Sequence, residues 1–111
     1  MPSTKKYRVK ISERADGMMA QHADFLAQVS IEAADRLLSQ FEKIADRIAD
    51  NPLQFPIADE LDFPDIEPGA CRKCLFEGRY KALFQLEDKE AVIIAVIDSR
   101  MGNISKNAGG L

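Results

Sequence analysis

The sequence predicts an α+β protein in which a helix hairpin packs on a four-stranded, mainly antiparallel sheet, in the order β-α-α-β-β-β. Three observations predict it. Tyr7, Val9 and Ile11 alternate with Arg8 and Lys10, the period of a half-buried strand. Residues 12–51 hold two apolar stripes of helical spacing, interrupted only around Ser30. Residues 71–97 hold three short apolar runs separated by Gly78 and by Glu87-Asp88-Lys89-Glu90.

The first helix is expected over 12–29. Ser12 is a good N-cap, and Glu13 and Asp16 stand in the first turn, where the helix dipole favours acids. Ala15, Met18, Met19, His22, Leu26 and Val29 make its apolar stripe. The second helix, expected over 30–51, begins at a second serine cap, Ser30. Its stripe of Ala34, Leu37, Leu38, Phe41, Ile44, Ala45 and Ile48 has the most regular period in the chain. Asn51-Pro52 ends it, because proline cannot continue a helix and restricts the residue before it. The link at Ser30 is short, so the helices are antiparallel and both stripes bury against one sheet.

Residues 53–69 carry Pro56, Pro64 and Pro68 with several acids, and read as a loop with one short turn at most. Cys71–Glu77, Arg79–Leu86 and Ala91–Ile97 are the three following strands. The last is almost continuously apolar and is expected to be buried on both faces. Residues 102–111 offer little to bury and are expected to fray around a core of about 5–101 in a single domain spanning 1–111.

The 111 residues suffice for one compact domain and not for two. Met1–Lys10 is polar and basic with no apolar h-region, and the longest apolar run, Ala91–Ile97, is far too short to span a bilayer. The expected location is the cytoplasm, with no membrane partner. The net charge of −3 argues against tight non-specific nucleic-acid binding. The charges are segregated, with four cations and no acid in 1–12, five acids and no base in 53–68, and four bases against Glu77 in 69–82. A basic surface is expected where the first and last of these stretches meet.

Cys71 and Cys74 form a Cys-x-x-Cys. A zinc site needs two further ligands, and His22 is the only histidine. Positions i and i+3 of a strand face opposite ways, unlike the helix-start geometry of a redox pair. Two reduced structural thiols are expected, with no metal and no cofactor. His22 sits on an apolar stripe and is read as a packed core residue.

Several segments together resemble the RelE/ParE toxins of type II toxin–antitoxin systems, the plasmid stabilisation proteins. They are Tyr7-Arg8-Val9-Lys10-Ile11-Ser12 leading into a helix, the helix end Ile48-Ala49-Asp50-Asn51-Pro52, the run from Arg72 to Leu86, and Ala91–Ile97 followed by Asp98-Ser99-Arg100. The resemblance covers about 5–101 and implies a toxin with a cognate antitoxin as partner. Antitoxins of this kind lay a segment along the toxin as a helix in a groove or an added strand. A homodimer is also compatible with it.

Within the family some members cleave mRNA on the ribosome without a metal and others inhibit DNA gyrase. By position, the family's strand arginine falls on Lys81, its upstream basic residue on Arg72 and its later arginine on Arg100, with Tyr80 the remaining candidate for handling a proton. Phe84 stands where the motif has tyrosine, and Met101-Gly102-Asn103-Ile104 brings no histidine or tyrosine after Arg100. An incomplete acid–base set points to a toxin that binds a target such as gyrase. The alternatives are a ribosome-dependent endoribonuclease and a catalytically silent antitoxin-binding module. Alternation puts Arg72 opposite Lys73 and is expected to put Arg79 beside Lys81, where Arg100 could join them from the next strand.

Overall fold

A computed structural model of the chain describes residues 7–58, 67 and 69–99. The first strand, β1 (Arg8–Ile11), runs into α1 (Glu13–Ala27), and the Ser12 hydroxyl accepts a hydrogen bond from the Ala15 amide at 3.0 Å. After three linking residues comes α2 (Ile31–Asp50), where Ser30 accepts from the Ala33 amide at 3.1 Å. Both predicted serine caps are in place. The first helix stops at Ala27, two residues short of its predicted end. The Val29 and Ser30 amides both turn back to the Leu26 carbonyl, leaving Val29 82% exposed.

Pro52–Gln54 forms a 3-10 turn. Phe55–Ala58 then runs along an edge of β2 (Arg72–Phe76), with Ala58 N–H donating to Cys71 O and Lys73 N–H to Pro56 O. The predicted loop is therefore ordered against the sheet over its described first part. Residues 59–66 and 68 of it, the predicted frayed tail and Arg100 lie outside the described residues.

The remaining strands are β3 (Tyr80–Glu87) and β4 (Glu90–Asp98), and the sheet order is β1-β4-β3-β2. β4 and β3, and β3 and β2, are antiparallel, while β1 joins β4 in parallel. The helix pair on a four-stranded, mainly antiparallel sheet is as the sequence predicts.

A β-bulge interrupts β4. Leu83 stands opposite Ala95 and Phe84 opposite Ile93, so Ile94 is extra. Ala91 and Ile93 face the helices before the bulge, and Val96 and Asp98 after it. Together with Leu37, Phe41, Ile44 and Ile48 of α2 and Ala15 and Met19 of α1, Ala91, Ile93 and Val96 build the main core. A smaller cluster of Ala58, Cys71, Leu83 and Ala95 forms on the far face. Val92, Ile94 and Ile97 are only half-buried, so β4 is covered fully on one face and partly on the other, less than its composition predicts. The physical reason is that, among the described residues, both helices pack on the other face, and only Met18 of α1 reaches the far-face cluster.

β1 ends opposite Ile93, and α1 serves the rest of that β4 edge. Ser12 Oγ donates to Ile94 O at 3.4 Å, and His22 Nε2 donates to Val96 O at 2.8 Å. The His22 ring also packs on Tyr80, with centroids 5.1 Å apart. His22 is the packed structural residue that its place on the stripe predicts.

Candidate functional site

The β2–β3 turn builds one end of the molecule. Arg79 N–H donates to Phe76 O, and the two central residues, Glu77 and Gly78, both adopt left-handed backbone angles of φ 55° and 64°. Gly78 does so freely. Glu77 carries a Cβ and is strained there. Its carboxylate accepts a hydrogen bond from Arg36 Nε of α2 at 2.8 Å.

Arg79 closes the other side of the turn. Its Nε and Nη2 reach the same Asp98 oxygen, at 2.9 and 2.8 Å, and its guanidinium lies 5.4 Å from the centre of the Tyr80 ring. The hydrogen bond to Asp98 pushes the Arg79 pKa up even from its ordinary high value. The Arg79 carbonyl accepts from both the amide and the hydroxyl of Ser99, at 2.9 and 2.6 Å, which fixes the end of β4.

Between this turn and the helix hairpin lies a cleft of about 110 Å³. Leu26, Ala33, Leu37 and Tyr80 line its apolar part, with Arg36, Glu77 and Arg79 as its charged residues. Phe25 near the end of α1, Val29 in the helix link and Ile31 at the start of α2 are 55%, 82% and 70% exposed.

Of the site residues expected from sequence, the three described ones, Arg72, Tyr80 and Lys81, are dispersed, and Arg100 lies outside the described residues. Tyr80 is 3% exposed, enclosed in the main core by Phe76 and His22. Lys81, the next residue along β3, is on the far face, between Leu75 of β2 and Ile97 of β4. Arg72 stands opposite Phe84, so it shares the helix side with Tyr80, and its Nη1 donates to Phe55 O at 2.6 Å. Lys73 takes the other face, as expected.

The expected pairing of Arg79 with Lys81 on one face is overturned. Arg79 belongs to the turn, so strand alternation does not reach it, and its contacts with Asp98 and Tyr80 hold it on the helix side. Among the described residues, Arg8 and Lys10 do not join Lys81 in the expected basic surface; Lys5 and Lys6 lie outside the described residues. Arg8 and Lys10 pair with Glu90, at 3.6 and 3.1 Å. Lys10 is level with Val92 and Lys81 with Ile97, about 16 Å apart along β4. Sequence reading missed Arg36, Glu77 and Asp98. Of these, only the Glu77-Gly78 turn carried a signal.

The two cysteines occupy opposite sides of the sheet, Cys74 in the main core and Cys71 in the smaller cluster. Burial raises both thiol pKa values, that of Cys74 to about 11. Among the described residues no group of three histidine, cysteine or acidic side chains converges to hold a metal. Also among them, no helix is long and apolar enough to cross a membrane.

Residues 9–102 match the family described as the ParE toxin of the type II toxin–antitoxin system parDE. The chain belongs to the ParE toxin family. No curated protein sequence matches this ParE-family toxin. Solved structures share its fold, among them the following two. One is the chromosomal ParDE toxin–antitoxin system from P. aeruginosa, 15% identical, with a TM-score of 0.65 over 84% of this chain and 96% of that one. The other is the toxin–antitoxin complex RelBE2 from Mycobacterium tuberculosis, 17% identical, with a TM-score of 0.58 over 88% of this chain and 97% of that one. The matched region takes in both helices, the sheet from Val9 onward and the charged end described above.

Proposed function

We propose that this ParE-family toxin acts in the cytoplasm by binding DNA gyrase, and that a cognate antitoxin neutralises it by direct contact. The observation that carries the binding reading is the dispersal of the nuclease candidates. Tyr80 is in the core, Arg72 is bonded to a backbone carbonyl, and Lys81 is on the opposite face from both. General acid–base catalysis needs its groups within hydrogen-bond reach of one substrate. The described members of this set do not meet that condition. The antitoxin reading is supported by the family and by the two toxin–antitoxin complexes that share the fold.

The test is to express the chain with and without the adjacent reading frame, then assay the purified toxin in two ways. Inhibition of gyrase supercoiling is expected, with no codon-specific mRNA cleavage on translating ribosomes. Robust cleavage by the wild type that collapses in Tyr80→Phe or Lys81→Ala would replace this reading with the endoribonuclease one.

A further inference from the structure

The cleft at the β2–β3 turn contains an unfavourable choice of residue. Two successive left-handed positions favour glycine, asparagine or aspartate. The first is a glutamate, Glu77, and its side chain engages Arg36 at 2.8 Å. An outlier of this kind is a reason to ask what it secures. The ion pair engages Nε alone, and the Arg36 side chain is 64% exposed, so its two terminal amino groups remain available at the edge of the cleft. Arg79, the other guanidinium of the cleft, is already matched by Asp98.

We infer that Arg36, held by Glu77 at the rim of the cleft, recognises a carboxylate on an amphipathic segment of the antitoxin, one of whose apolar side chains enters the cleft between Leu26, Ala33, Leu37 and Tyr80. This rests on the antitoxin reading above. A planar guanidinium fork favours a carboxylate, which it can bind through two parallel hydrogen bonds. An apolar cavity of about 150 Å³ accepts a benzene-sized group, so the 110 Å³ here suits one leucine-sized side chain. The exposed Phe25, Val29 and Ile31 extend the apolar surface along the helix link. Asp24, Glu32 and Asp35 are also exposed on the two helices beside that link. The matching segment therefore carries an apolar anchor, an acid three or four residues away on the same helix face, and lysine or arginine at its flanks.

The experiment uses the full-length chain and the full-length antitoxin from the adjacent reading frame. Affinity is measured for wild type, Arg36→Lys, Arg36→Glu and Glu77→Gly, with the melting temperature of each toxin. Arg36→Glu is expected to weaken binding at least about tenfold, with Arg36→Lys intermediate because it keeps charge but loses the fork. Glu77→Gly is expected to weaken binding while the melting temperature holds or rises, which a purely structural role would not produce. Reversing one antitoxin acid to arginine should restore binding to Arg36→Glu. If wild type binds and all three variants stay within about twofold of it, the inference is overturned and the antitoxin reading stands. If wild type does not bind that antitoxin, the underlying reading fails and the inference falls with it.

Discussion

Arg79 and Asp98 are joined through a single oxygen, with Nε at 2.9 Å and Nη2 at 2.8 Å from Oδ2, and the two side chains are only 24% and 4% exposed. The pair bridges the β2–β3 turn to the last residue of β4. Its members sit 19 residues apart and are brought together by the antiparallel register of β3 and β4.

Removing one partner of such a pair leaves a poorly solvated charge. Asp98→Asn is expected to destabilise the fold by about 3 kcal/mol, and Arg79→Ala by a similar amount. The double variant should cost clearly less than the sum, because neither charge is then stranded. Urea denaturation of the four proteins in this cycle checks it. Additive losses would mean that the two side chains do not interact energetically.

Gly17 lies inside α1, and a Cβ built there meets nothing within 4 Å. Glycine costs a helix interior about 1 kcal/mol relative to alanine, through backbone entropy. Gly17→Ala should therefore raise the urea midpoint by an amount equivalent to about 1 kcal/mol, with an unchanged m-value.

His22 satisfies a carbonyl that the sheet itself leaves unpaired, at Val96, beyond the end of β1. His22→Phe keeps an aromatic ring against Tyr80 and removes the donor. The expected loss is about 2 kcal/mol, the cost of leaving a part-buried acceptor without a partner. A thermal melt of this variant matching the wild type would show that water replaces the imidazole.

The Cys74 thiol is raised by burial from an ordinary value of 9.0 to about 11. A folded-state value above the unfolded one means that the folded state holds the proton more tightly. The associated stability is complete below pH 9, and it is lost as pH rises through about 11. Wild type should lose stability more steeply than Cys74→Ala across that window. At pH 8 iodoacetamide should leave Cys74 unmodified in the folded chain and alkylate it in denaturant.

Where a local rule applied, sequence reading located the structure. Ser12 and Ser30 cap the helices because their hydroxyls sit three residues before an unpaired amide. The regular stripe of α2 delivered Leu37, Phe41, Ile44 and Ile48 to the core. The candidate site was read less well. Lys81 and Arg72 were named from their positions in a motif, and alternation separated them only once the strands were paired. Arg79 belongs to the turn, where the strand alternation that starts at Tyr80 no longer applies.

The sequence by itself determined the element order, the two helix starts, the turns at Gly78 and Asp88-Lys89, and the family to which the chain belongs. These follow from periodicity, capping and turn chemistry, all of which act between residues a few positions apart. Only the tertiary structure decided that β1 lies beside β4 in parallel, that a bulge at Ile94 re-aims the end of β4, and that Arg79 meets Asp98 while Arg36 meets Glu77. Strand pairing and ion pairing join residues distant in sequence. Their partners are selected by which arrangement buries the most apolar surface while leaving the fewest polar groups unmatched, a choice made by the whole chain at once.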